Sequence, residues 1–428
     1  MTIRSFRVTK DKAAVSLATQ ETAFNAGATL SHSLLITEGD IPADTFVREK
    51  NEGELTGKEE ADRIYYRGKT ADMNWTFDKA TPTQILLPVA YALGDITTVA
   101  AGTGYQHTIV PFEGDVDNRR SLPSFSTGFR FSDQNDAKYD GCVVDSVTLT
   151  FTKGEQAEFL KASATLKNSG KRTDSTIRET VNAALNATSL ALTDGVNGDD
   201  AAGRLRNVQT IDYTHTDGYL APVVYSAVSD DTAGGVITIE APGAVADTVD
   251  YRVVYTTHDG PITFPALVTE TPLKTSGAFI TFGGMWNGSS FVGGRTLACE
   301  AKNIEWTYTN GVALESCFGE DADYAGRVWR DARTQTLKVD RELRDWLYQT
   351  MLDQEEYFGL HILAEGAVYD DPHKFTVELI FPRLAVMSNP VSADGKRLSE
   401  SIELSVLQDT TYGSVIARIK NTVPTVAG

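Results

Sequence analysis

The stretch Gly57-Lys-Glu-Glu-Ala-Asp-Arg-Ile-Tyr-Tyr-Arg67, followed by Asp72-Met-Asn-Trp-Thr-Phe77 and the apolar segment Ile85 to Leu93, decides the reading of this chain because it occurs twice. It returns as Gly319-Glu-Asp-Ala-Asp-Tyr-Ala-Gly-Arg-Val-Trp-Arg330, then Thr336-Leu-Lys-Val339, then Arg341 to Leu352. The two glycines lie 262 apart and the closing arginines 263, so the copies align with one inserted residue. A second echo, offset by 157, pairs Val147-Thr-Leu-Thr-Phe-Thr-Lys-Gly154 with Ile304-Glu-Trp-Thr-Tyr-Thr-Asn-Gly311. Self-similarity at fixed spacing marks a unit used more than once. A duplicated β module suits a protein that builds something from repeated parts.

Working outward, strand signals dominate and predict a mainly β protein. Ser33 to Thr37, Phe125 to Phe131, Cys142 to Thr152, Phe159 to Leu166, Phe375 to Phe381, Ser401 to Leu407 and Ser414 to Lys420 alternate or are rich in β-branched residues, with turn residues between them. Helices are few. One is predicted over Asp340 to Leu352, with Asp340 as its cap and Leu343, Trp346, Leu347 and Met351 as an apolar stripe covering a sheet. The other opens on Thr81-Pro-Thr-Gln84, a capping box with proline at the first helical position, and ends at Gly94. Pro88 within it predicts a kinked or shortened helix, because an interior proline removes a backbone bond.

Between the copies the texture changes. Lys171 to Gly203 is rich in Ser, Thr, Asn, Asp and Gly and reads as linker and domain edge. Short strands follow at Asn207 to Thr214, Pro222 to Val228, Val236 to Glu240 and Asp247 to Thr257. That spacing predicts a small immunoglobulin-like or fibronectin-like sandwich over 186–262, left through a turn at Asp259-Gly-Pro261. Ile41 to Glu60 reads as a long charged loop, surplus to a compact monomer but able to lie on a neighbouring subunit.

Composition bounds the function. The 428 residues are 41% apolar, enough for two or three domains with ordinary cores. No run of about eighteen apolar residues exists, and Met1-Thr-Ile-Arg-Ser-Phe-Arg7 lacks the apolar stretch of a signal peptide, so the expectation is a soluble chain made in a cytoplasm. Lys plus Arg number 39 against 58 Asp plus Glu, a formal net charge of −19. Such a surface repels phosphate and argues against a sequence-reading nucleic-acid binder. It fits either plain solubility or a surface past which DNA slides without sticking.

Chemistry-bearing patterns are sparse. The six histidines, His32, His107, His215, His258, His361 and His373, lack the close spacing of a zinc site, and Cys142, Cys299 and Cys317 read as small apolar fillers beside strands rather than disulfide or metal ligands. Gly283-Gly284 and Gly293-Gly294 lack the following helix of a phosphate cradle and read as turns. The carboxylates Asp133, Asp136 and Asp140, then Glu320, Asp321 and Asp323, then Asp370 and Asp371 are close in sequence. A glycosidase needs two carboxyls across a sugar-sized cleft, and charged loops are the simpler reading. Calcium binding by Asp133-Gln-Asn-Asp136 lacks the usual acidic loop. No catalytic, cofactor or metal residue is therefore assigned.

Glu54-Leu-Thr-Gly57, the strand ending in Trp75-Thr-Phe77, Thr81-Pro-Thr-Gln-Ile-Leu-Leu87 running to Ala92-Leu-Gly94, Leu122-Pro-Ser-Phe125 and Tyr139-Asp-Gly-Cys-Val-Val-Asp-Ser-Val147 together resemble the tail tube proteins (major tail proteins) of long-tailed, non-contractile phages. The part closing at Ile419 is similar to the second half of such proteins. The resemblance covers roughly three quarters of the chain and excludes 186–262. It implies two β-sandwich or barrel-like modules, at 1–185 and 263–428, each with a flanking helix. Their sheets would join edge to edge into a ring around a DNA channel, and the rings would stack into a tube.

Two modules per chain imply trimeric rings of pseudo-six-fold outline, with an acidic lumen and the 186–262 insert outside. The implied partners are further copies of the chain, phage DNA passing non-specifically, and the tape measure, terminator and distal tail proteins. No membrane insertion is implied, and the location is the virion tail after assembly in the host cytoplasm. Inter-subunit contacts are expected at Arg48, Glu49, Glu52, Glu54, Glu59 and Glu60, and at strand edges bearing Thr148, Phe151, Thr307 and Tyr308. The rival expectations are a soluble carbohydrate-binding or adhesive β-protein and, third, a glycosidase.

Overall fold

The computed structural model describes residues 12–17, 20–37, 42–54, 57–112, 122–132, 135–154, 156, 158–193, 208–215, 217–228, 234–256, 262–267, 269–297, 299–317, 323–394, 397–424 and 426. Asp133, His258, the Asp259 to Pro261 turn, Glu320, Asp321 and residues 194–203 of the Lys171 to Gly203 segment lie outside them. The fold is mainly β, with two α-helices among the described residues. The chain divides into two compact units, one of Ala14–Thr127, Tyr139–Lys171 and Pro265–Gly428, the other of Met1–Ala13, Gly128–Lys138 and Arg172–Phe264.

The larger unit is organised by two antiparallel ladders. The first runs in the order Ile64–Phe77, Lys161–Asn168, Asn135–Thr152, Ala301–Thr309, Thr334–Glu342, Arg397–Val406. The second runs Gly94–Ala101, Gly104–Pro111, Ile416–Asn421, His373–Ser388, Phe358–Asp370, Ala278–Trp286. His373–Ser388 belongs to both, since its last residues pair with Arg397–Val406. Period-two alternation puts Met73, Trp75 and Phe77 inward from one strand and Leu337, Val339 and Arg341 inward from another.

The first helix, Pro82–Leu93, packs against strands of both ladders, and all twelve of its residues are buried. Its ends follow local chemistry. Thr81 Oγ1 accepts from Gln84 N at 3.3 Å, Gln84 Oε1 accepts from Thr81 N at 3.1 Å, and Gly94 closes the helix in the left-handed region at φ 91°. The expected shortening at Pro88 does not occur. Ile85, Leu86, Leu87 and Val89 are wholly out of water, and burial of that size offsets one lost backbone bond.

The second helix corrects its expectation. It spans Leu347–Asp353, and Asp340 lies in the strand Thr334–Glu342 instead of capping. The strand persists because Arg341 continues its inward face, fully buried and paired to Glu400 on the neighbouring strand. Asp345 does the local work at the helix start, its Oδ1 accepting from Leu347 N at 3.3 Å. The expected stripe is not buried either; the buried residue is Tyr348, edge-on to Phe282 with ring centroids 4.4 Å apart.

Other readings change in detail. Gly283-Gly284 lies inside a strand at a register shift, not at a turn. There the missing side chain of Gly284 admits the Phe291 ring, which a Cβ would meet at 2.3 Å. Of the cysteines, Cys142 is buried, and burial pushes its thiol up, whereas Cys299 is exposed and fills no core.

Among the described residues the smaller unit holds two sheets of its own, made of seven strands. Thr176–Ala184, Thr248–Thr256, Val208–Thr214 and Leu220–Pro222 form one, and Ser189–Ala191, Val236–Ile239 and Tyr225–Val228 the other. They share a core of Leu190, Ile211, Ile237, Ile239, Tyr251, Val253 and Tyr255. Thr176–Ala184 pairs along its whole length with Thr248–Thr256, so the strands of this unit begin ten residues before 186.

Candidate assembly surface

The charged segment expected as a loop from Ile41 to Glu60 is a strand over Ala43–Lys50. Ala43–Lys50 pairs antiparallel with residues 64–72 of Ile64–Phe77, forming a two-stranded arm. Ile64–Phe77 thus changes character along its length. Residues 64–67 are exposed on both faces, and from Ala71 the strand alternates buried and exposed as it enters the ladder. The change falls at Gly68, whose φ of 140° is closed to most side chains and which lies opposite the register shift between Val47 and Arg48.

The arm exposes Phe46, Val47, Ile64, Tyr65 and Tyr66. Phe46 and Tyr66 touch across the strands, ring centroids 6.1 Å apart, and the Arg48 guanidinium lies 5.5 Å from the Phe46 ring. Glu49 pairs with Arg67 at 3.1 Å, and Glu52 with Lys50 at 3.7 Å. Glu54 accepts from the Tyr65 hydroxyl at 3.0 Å, which pushes that phenol up. Glu59 and Glu60 line a shallow concavity with Lys50, Glu52, Asp62 and Arg63.

Asn51 holds the base of this connection. It is buried, its Oδ1 accepts from Asp62 N at 3.1 Å and Arg63 N at 3.2 Å, and its Nδ2 donates to Asp62 at 2.8 Å. Lys58 also donates to Asp62, and these contacts hold the Asp62 carboxyl below its usual range. The described part of the turn is therefore charged and tied at its base, on a ribbon that bears exposed apolar residues.

Thr148, Phe151, Thr307 and Tyr308 are not brought to this surface. They lie on two strands that pair with each other within the chain, Thr148 opposite Thr307, Phe151 opposite Ile304 and Tyr308 opposite Val147, with the two threonine hydroxyls 2.9 Å apart. Asn135–Thr152 has Lys161–Asn168 on its other side and Ala301–Thr309 has Thr334–Glu342, so both edges of each strand are filled. The expectation of an edge offered to another subunit is corrected at these four positions: the backbone groups that would bond a neighbour already bond each other.

A second hairpin stands ahead of the second helix. Val312–Glu315 pairs with Arg327–Arg330 in a short hairpin ahead of Thr334–Glu342, with Trp329 exposed. The order of arm hairpin, strand, helix and second hairpin therefore occurs twice.

Reasoning on charge alone missed the apolar residues of the arm. The signal was there: Thr45-Phe-Val47 and Ile64-Tyr-Tyr66 are β-forming triplets on either side of a charged turn. Among the described residues no three His, Cys, Asp or Glu side chains gather as metal ligands. Asp136 is engaged by Arg130 at 2.9 Å and Asp140 by Ser126 at 2.8 Å. No helix among the described residues is long and apolar enough to cross a membrane. No protein-family model matches this chain, and no curated protein matches it.

Proposed function

We propose that this chain is a structural protein that assembles with copies of itself into stacked rings, forming the tail tube of a long-tailed, non-contractile phage. The observation that carries the reading is the arm. A two-stranded ribbon is marginal in water on its own, and this one leaves Phe46, Ile64, Tyr65 and Tyr66 uncovered on a folded chain. A surface of that kind gains most when another protein covers it, and the charged turn at its tip gives the contact a register.

The repeated order of elements supports two ring-building modules per chain, three chains per ring and a six-fold outline. The net charge of −19 supports a lumen along which DNA moves without binding. The seven-stranded unit is read as an immunoglobulin-like or fibronectin-like decoration on the outside of the tube.

The test is direct. The purified chain is expected to polymerise into hollow tubes visible by negative stain, with three chains per ring by mass measurement. Six chains per ring overturns the two-module reading. A chain that stays monomeric at high concentration and binds a glycan saturably overturns the assembly reading in favour of an adhesive protein.

A further inference from the structure

We propose that the face around the second helix, Leu347–Asp353, is where the next copy of this chain docks, head to tail. The inference rests on the assembly reading above and names its joint.

It starts from a difference between the two helices. The first is enclosed, and much of what encloses it comes from the half of the chain that carries the second copy. The Glu270 carboxylate accepts from Thr83 N at 3.0 Å and from Thr83 Oγ1 at 2.6 Å, at the helix's positive end. Asn421 Nδ2 donates to Thr83 Oγ1 at 2.9 Å, and Asn310 Nδ2 donates to the Ala92 carbonyl at 3.0 Å, at the other end. Ile416–Asn421 and His373–Ser388 pack along it.

The second helix sits at the corresponding place in the repeated order and has cover on one side only. Tyr348 is its buried residue, held beneath Phe282 and under the Arg341 guanidinium at 4.0 Å. Its other side is open: Trp346 is 62% exposed and Leu347 is exposed beside it. Tyr357 at the helix's far end, and Leu398, whose carbonyl accepts from Leu343 N, are exposed as well.

The backbone that presents the open face is flanked by a network of ion pairs. Arg341 binds Asp345 at 3.0 Å, and Arg295 binds both Asp345 and Glu300. A preorganised apolar face loses little freedom on binding, and exposed tryptophan and tyrosine are the residues that gain most from it.

The occupant follows from the chain's own arrangement. Within one chain the first helix is satisfied by the second half. Each chain therefore carries one helix satisfied internally and one open, and the open one matches the first half of a following copy. Such a contact joins two different surfaces, so it propagates around a ring instead of ending in a pair.

The experiment compares the wild-type chain with Trp346→Arg, and with Tyr219→Arg as a control, since Tyr219 is an exposed aromatic of the seven-stranded unit. Assembly is followed by sedimentation and negative stain, and oxidative footprinting reports on Trp346 in monomer and tube. Trp346→Arg is expected to keep the wild-type melting temperature and to raise the concentration at which tubes form roughly thirtyfold, the effect of losing one interface anchor. Tyr219→Arg is expected to assemble as wild type, and Trp346 to be protected in wild-type tubes.

Tubes of Trp346→Arg forming at the wild-type concentration, or Trp346 equally reactive in tubes and monomer, overturn this inference while assembly itself stands. A wild-type chain that never assembles overturns the assembly reading and the inference with it. Where Trp346→Arg melts early, the wild-type footprint decides.

Discussion

Leu149 and Trp306 are register partners at the centre of the seam between Asn135–Thr152 and Ala301–Thr309, and the pairing about them maps onto itself under the sequence echo. Val147 corresponds to Ile304 and Phe151 to Tyr308; Val147 pairs with Tyr308, and Phe151 with Ile304. The two echoing strands thus meet about a local two-fold. Their outer neighbours keep the pattern. Ala162, Ala164 and Leu166 stand beside Phe77, Trp75 and Met73 on one side, and Leu337, Val339 and Arg341 stand beside Leu404, Ile402 and Glu400 on the other.

Trp306 is wholly buried at this centre, packed against Phe381 with ring centroids 5.9 Å apart. Trp306→Ala leaves a cavity the size of an indole where strands of both ladders meet, and is expected to cost about 3–5 kcal/mol. Denaturant unfolding checks this: a lowered midpoint with unchanged slope is expected, and a loss under about 1 kcal/mol shows that the seam repacks.

How much was legible depended on how local the cause was. Thr81, Gln84 and Gly94 act through neighbours three or four residues away, so the first helix could be read from its caps. Arg341 could not: a charged residue on an inward face is explained chiefly by Glu400 and Glu300, which lie far along the chain, and without them the segment looks like a helix. The strands bearing Thr148 and Thr307 were found, but that they face each other depends on the folding of the chain between them. The charges of the arm were visible, whereas the exposure of Phe46 and Tyr66 is a property of what fails to cover them.

The arm separates folding from assembly. Phe46 and Tyr66 touch each other and solvent, so Phe46→Ser with Tyr66→Ser removes one aromatic pair worth about 0.5–1.5 kcal/mol. The melting temperature of the double variant is expected to drop only a few degrees while tubes disappear on negative-stain grids. Normal tubes from this variant remove the arm from the interface.

Arg341 is the largest charged side chain that is fully buried among the described residues, bound to Glu400, to Glu300 at 3.3 Å and to Asp345 at 3.0 Å. Arg341→Met leaves the buried Glu400 without its cation and is expected to cost about 3–5 kcal/mol. Glu400→Met placed in the same chain is expected to restore part of that loss, because it removes the stranded charge. A double variant less stable than the single one shows that Glu400 is held by other groups, such as Asn389, whose Nδ2 donates to it at 2.8 Å.

His107 ties the Ile416–Asn421 strand to the first half of the chain and makes the fold sensitive to acid. The Asn421 amide is oriented by its own bonds, Nδ2 donating to Thr83 Oγ1 at 2.9 Å and Oδ1 accepting from Val423 N at 3.1 Å. The 3.0 Å contact from His107 Nε2 to Asn421 Oδ1 therefore carries the ring proton on Nε2, and Nδ1 accepts from Thr98 Oγ1 at 2.8 Å. Burial, the largest cause, lowers the His107 pKa below 6.5, and it does the same at His32. With the folded value depressed, the unfolded chain takes up protons first. The contribution is whole above about 6.5 and is lost as the pH falls below it. Unfolding midpoints measured between about pH 7.5 and 5.5 are expected to fall for the wild type and to fall less steeply for His107→Gln, which keeps a donor to Asn421 but cannot titrate. Equal slopes for the two proteins place the acid sensitivity elsewhere, with His32 the next group to replace.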